Sequence, residues 1–83
     1  MKPVKIYTTP YCPFCVRAKK LLDKKQVAYE EIDVAGDDVA REKLSERTGR
    51  RTVPQIFVGD HHVGGSDDLH ALDAAGELDK LLQ

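Results

Sequence analysis

Between residues 4 and 25 one side-chain pattern gives way to another, and two thiols lie at the junction. Val4-Lys5-Ile6-Tyr7-Thr8 alternates and is rich in β-branched and aromatic types, as a strand is. From Pro13 to about Lys25 the spacing is helical, with Cys15, Ala18 and Leu22 on one stripe and Leu21 beside them. Proline suits the first helical position, where its missing N–H has no partner to lose, so Cys12 falls at the N-cap. A thiol placed there faces free backbone N–H groups and the positive end of the helix dipole, both of which favour thiolate over thiol. Cys12-Pro13-Phe14-Cys15 therefore reads as a redox centre.

Residues 1–83 are expected to form a single domain, burying ~60–65% of the unfolded surface and leaving no room for a large internal cavity. Thirteen Lys and Arg against fourteen Asp and Glu give a net charge of −1, with the signs interspersed. That balance argues against a nucleic-acid binder, which carries a strongly basic face. No apolar run approaches the length of a membrane span, and Met1-Lys2-Pro3-Val4-Lys5 leads straight into a strand pattern. The expected location is the cytoplasm. In a reducing compartment a close cysteine pair is catalytic or metal-binding more often than a structural staple, and so short a loop adds little stability through chain entropy.

Val27 to Val34 reads as a second strand. Asp37-Asp38 caps a short helix running to about Thr48, with Val39, Ala40 and Leu44 as its thin apolar side and Gly49 as its stop. Pro54 to Val58 is a third strand, and Gly59-Asp60 makes a two-residue turn into His61-His62-Val63. Ser66 or Asp67 opens a last helix with Leu69, Leu72 and Ala75 on one face, broken by Gly76 before a final turn containing Leu78, Leu81 and Leu82. The order β-α-β-α-β-β-α predicts an α/β domain: a four-stranded mixed sheet, its first two strands parallel, its last two antiparallel, with helices on both faces.

Helical geometry places Cα atoms three residues apart at roughly 5 Å, within the range a disulfide accepts. Cys12 lies at the exposed tip and Cys15 on the inward stripe, so the outer thiol attacks and the inner one resolves. An ordinary cysteine near pKa ~8.5 is only about 3% thiolate at pH 7, and a helix terminus contributes at best ~2 kcal/mol. Hydrogen bonds from the Phe14 and Cys15 N–H groups, and cations at Arg17, Lys19 or Lys20, must add the remainder. A structural zinc site needs four ligands, and His61 and His62, adjacent on a strand, point to opposite faces. A buried inert pair suits a core position better than a helix tip, and a cysteine hydrolase needs a positioned histidine.

Two further stretches complete a pattern. Thr52-Val53-Pro54 puts a proline at the start of a strand, and Gly64-Gly65-Ser66-Asp67-Asp68 puts flexible backbone at a helix mouth, a ready anion site. In order and spacing, these and Cys12-Pro13-Phe14-Cys15 resemble the dithiol glutaredoxins, especially the small bacterial members of the glutaredoxin 3 type. The likeness extends over essentially the whole chain, through Gly49-Arg50-Arg51-Thr52-Val53-Pro54-Gln55-Ile56-Phe57 and Asp68-Leu69-His70-Ala71-Leu72. It implies a thioredoxin-like fold, Pro54 in cis beside the thiols, and glutathione as cosubstrate with no metal.

The implied glutathione-binding set is Phe14, Arg51, Thr52, Val53, Pro54, Gly65, Ser66, Asp67 and Asp68. Val53 N–H and C=O suit the peptide part of glutathione, the N–H groups around Ser66 and Asp67 its γ-glutamyl carboxylate, and Asp67 or Asp68 its ammonium group. Arg50 or Arg51 suits the glycyl carboxylate. Two departures stand out: Phe14 replaces a tyrosine common in the family, and Thr9 replaces a lysine three residues before the first cysteine. The resemblance implies a monomeric thiol–disulfide oxidoreductase acting on protein disulfides and protein–glutathione mixed disulfides, with ribonucleotide reductase among the conceivable clients. The same architecture also serves redoxins reduced by thioredoxin reductase and iron–sulfur carriers, the latter disfavoured by Pro13. His61, His62 and His70 have no assigned role.

Overall fold

The computed structural model describes residues 2–83. β1 (Val4–Thr8) pairs in parallel with β2 (Glu30–Asp33) on one side and antiparallel with β3 (Gln55–Val58) on the other. β3 then turns at Gly59-Asp60 into β4 (His61–Gly64), giving the order β2-β1-β3-β4. Strand alternation divides the side chains between two faces. Val4, Ile6, Ile56 and Val58 point to one face and pack with Ala18, Leu21 and Leu22 of α1 (Pro13–Lys24) and Leu69 of α3 (Ser66–Ala74). Tyr7 and Phe57 point to the other, where their rings meet edge to face at 5.7 Å. There Arg47 of α2 (Asp38–Thr48) lies over the Phe57 ring at 4.1 Å, so helices cover both faces as expected.

The predicted elements are present, with three differences. β2 is shorter than Val27–Val34. Gln26 turns the chain at φ 59° and Val27 N–H bonds back to Leu22 C=O at 3.0 Å, so Val27 is buried as a continuation of the helix end. Val39 is 64% exposed and not part of an apolar side; α2 meets the protein through Leu44 and the stem of Arg47. The last apolar residues form a short helix, α4 (Leu78–Leu82), that buries Leu78 and Leu82, whereas Ala75 lies exposed beyond the end of α3.

Lys25 ties this C-terminal region to α1 by reaching Asp73 at 2.7 Å and Asp79 at 3.1 Å. α2 is capped by the Asp37 carboxylate on Ala40 N–H at 3.0 Å and ends at Gly49, whose φ of 72° is open to glycine without penalty. No helix among the described residues is long and apolar enough to cross a membrane.

Candidate active site

Cys12 is the N-cap of α1, with extended backbone (φ −105°, ψ 103°), and Pro13 begins the helix. Because β1 ends at Thr8 and the chain must turn into α1, the cap lies at the edge of the sheet, beside the loop that precedes β3. Cys12 and Cys15 are joined as a disulfide, their Cα atoms 5.1 Å apart as helical spacing predicts. Cys15 is 1% exposed and Cys12 only half-buried, the burial order expected from the helical stripe.

Cys12 Sγ accepts a hydrogen bond from Cys15 N–H at 3.1 Å. This is an orphan donor of the first helical turn, directed at the Cys12 sulfur, where it would favour a thiolate. Sγ also lies 3.7 Å from the Val53 carbonyl oxygen, to which a reduced thiol can donate. Two of the cations that follow the thiols in sequence, Lys19 and Arg17, have partners of their own. Lys19 pairs with Glu31 at 3.0 Å, and Arg17 lies over the exposed Phe14 ring at 5.9 Å. The bond from Thr8 Oγ1 to Glu31, 2.8 Å, followed by that from Lys19, lowers the Glu31 pKa and keeps it ionised as Lys19's partner. These residues border a small cleft behind the thiols, lined in part by Cys12, Cys15 and Val16.

On the opposite side of Cys12 a shallow groove of about 240 Å³ is lined by Phe14, Thr52, Val53, Pro54, Gly65, Ser66, Asp67 and Asp68, together with Arg50. Val53–Pro54 is cis, and Pro54 is buried beneath the groove. Arg51 borders the α2 side of the loop, where its C=O accepts from Arg41 Nη2 at 3.3 Å. Arg41 is a cation that sequence spacing did not single out. It reaches the 51–53 loop from α2 across ten residues, and the mainly charged surface of that helix gave no signal to distinguish it from its neighbours.

The groove's far wall is the start of α3. The Asp68 carboxylate accepts from Gly65 N–H at 2.9 Å and from Arg50 Nη1 at 2.7 Å, bracing the helix mouth and the loop before β3 against one another. Ser66 and Asp67 N–H remain in the first turn, where the helix offers no acceptor. The Arg50 hydrogen bond, and then that from Gly65, hold the Asp68 pKa below 3.8. A carboxylate with a depressed folded pKa stabilises the protein fully above its unfolded value, and the benefit fades as pH falls through the folded value. Melting temperature followed downward from pH 5 is therefore expected to fall less steeply in Asp68→Asn than in the parent, with a parallel decline in both counting against the brace.

A family model described as glutaredoxin matches residues 4–63. The chain is 52% identical to glutaredoxin 3 of Escherichia coli strain K12 over 83 residues, covering 100% of each protein. Its structure is similar to a solution structure of glutaredoxin from Brucella melitensis, with TM-score 0.89 and 52% identity over 99% of this chain and 89% of that one. It is also similar to a buckwheat glutaredoxin–glutathione complex, with TM-score 0.92 and 33% identity over 98% of this chain and 76% of that one.

Proposed function

The chain belongs to the glutaredoxin family and is a thiol–disulfide oxidoreductase; on that footing we propose that glutathione is its reductant and that the groove beside Cys12 is where glutathione binds. One observation carries the reading. A cleft whose walls come from three separate stretches of chain lies next to the half-buried Cys12, with the half-buried Val53 on one side and a helix mouth on the other. Glutathione, with two carboxylates, an ammonium group and a peptide backbone, is complementary to those parts. Val53 N–H and C=O serve the peptide, Ser66 and Asp67 N–H the γ-glutamyl carboxylate, and Asp67 the ammonium group, since Asp68 is already engaged by Arg50 and Gly65. Arg50, at the groove, and Arg41 and Arg51, on its α2 side, supply positive charge for the glycyl carboxylate. Charges at such a rim govern encounter and specificity more than final affinity.

In the one-thiol route, Cys12 thiolate attacks the glutathione sulfur of a protein–glutathione disulfide. The protein sulfur leaves as thiolate and takes up a proton. A second glutathione thiolate then attacks the glutathione sulfur on Cys12, releasing oxidised glutathione and regenerating Cys12. In the two-thiol route, Cys12 forms a mixed disulfide with a protein client, and Cys15, after losing its proton, displaces the client and leaves the Cys12–Cys15 bond for glutathione to reduce. Both routes belong in a reducing cytoplasm, with disulfide-bearing or glutathionylated proteins as clients.

Reduced Cys15→Ser mixed with oxidised glutathione is expected to gain one glutathione, on Cys12, by mass spectrometry and peptide mapping. Absence of the adduct, with Cys12 still alkylated by a small reagent, would remove glutathione as the cosubstrate while leaving the nucleophile in place.

A further inference from the structure

Gln55 is wholly buried (0% exposed) on the face of β3 shared with Phe57, an expensive place for an amide unless every polar end is engaged. Its Nε2 donates to Thr52 C=O at 2.9 Å and lies 3.3 Å from Thr52 Oγ1, while its Oε1 is 2.6 Å from His62 Nε2. Chemistry sets the direction of this chain. A carbonyl only accepts, so the end of Gln55 facing Thr52 is nitrogen and the end facing His62 is oxygen, which requires His62 Nε2 to carry hydrogen. Burial, followed by the charge of Arg50, lowers the His62 pKa and favours the neutral ring. His62 is itself held in place: it stands opposite Phe57 across the β3–β4 hairpin, the two rings 5.0 Å apart.

The consequence lies at the other end. Thr52 C=O and Val53 N–H belong to one planar trans peptide and point in opposite directions. Pulling the carbonyl inward, towards Gln55, turns the Val53 N–H outward. We propose that His62 and Gln55 are positioning residues for glutathione: through the hydrogen-bonded chain His62–Gln55–Thr52 they aim the Val53 N–H into the groove without touching the ligand. This inference rests on the glutathione reading above and adds to it the pair of residues that set its orientation.

The test is steady-state turnover of a glutathionylated peptide coupled to glutathione reductase, with glutathione varied. His62→Phe keeps a ring against Phe57 but removes the donor. The KM for glutathione is expected to rise about three- to tenfold, the range of one hydrogen bond, with kcat within about twofold of the parent. His62→Gln, whose amide nitrogen reaches the place of Nε2, is expected to restore KM to within about twofold. A His62→Phe enzyme with the parent's KM, or a His62→Gln enzyme as impaired as His62→Phe, overturns the positioning role. Failure of the parent itself to turn over with glutathione would instead overturn the cosubstrate, so the two failures are separable.

Discussion

Cys12→Ser is expected to lower reduction of both glutathionylated peptide and protein disulfide to the rate of uncatalysed exchange, whereas Cys15→Ser retains the first activity and loses most of the second. The asymmetry follows from position. Cys12 Sγ is half-exposed and receives the Cys15 N–H at 3.1 Å, so its thiolate can form and reach a substrate sulfur. A serine oxygen can accept the same cap hydrogen bond and preserve the helix, but its alcohol does not ionise near neutral pH and its oxygen cannot enter disulfide exchange. Cys15 is 1% exposed and its sulfur is bonded to Cys12, out of reach of a protein client. It is needed where a protein client must be expelled and is dispensable where glutathione does the expelling. Parallel assays on the two substrates decide the matter; a Cys12→Ser protein active in either, or equal losses on both substrates in Cys15→Ser, contradicts the division of labour.

Gly64→Ala is expected to be strongly destabilising although it touches neither thiol. The residue has φ +118°, and a Cβ built there lies 2.8 Å from Asp68 Cγ and 3.1 Å from Arg50 Nη1. The backbone strain and the loss of the Asp68 cap on Gly65 N–H together amount to about 2–4 kcal/mol; the Arg50 ion pair, largely open to solvent, adds little. At about 4–8 °C per kcal/mol for a chain of this size, melting should fall by roughly 8–32 °C. Below that temperature the surviving folded protein should bind glutathione more weakly, because the same movement displaces Asp68 and Arg50 from the groove. Calorimetry and glutathione titration measure the two effects; a parent-like melting temperature would mean the helix mouth relaxes around the methyl group without strain.

Much of this architecture is legible in the chain because it is local. The Cys12 cap, the inward turn of Cys15, the Asp37 cap and the Gly49 stop each depend on residues within one or two helical turns. The division of strands between faces follows from alternation in Val4–Thr8 and Gln55–Val58. Family resemblance brought Phe14, Thr52, Val53, Pro54 and Gly65 to Asp68 together on paper, and in the structure they line one groove.

Other features depend on contacts that no spacing announces. Arg50 and Arg51 are neighbours in a loop with no repeating geometry; only the arrival of Asp68, eighteen residues on, selects Arg50 for the groove and leaves Arg51 on the α2 side. His61 and His62 are equally indistinct until the irregular register between Ile56 and Phe57 seats His62 over Phe57 and against Gln55. Val39 has the composition of a core residue but meets no packing surface. Short-range sterics and hydrogen bonding thus place Cys12 and Cys15, whose relation spans three residues at the start of one helix. The shape of the groove and the direction of its donors arise where β3, β4 and α3 converge, because a loop side chain or peptide plane is oriented by whichever distant group reaches it.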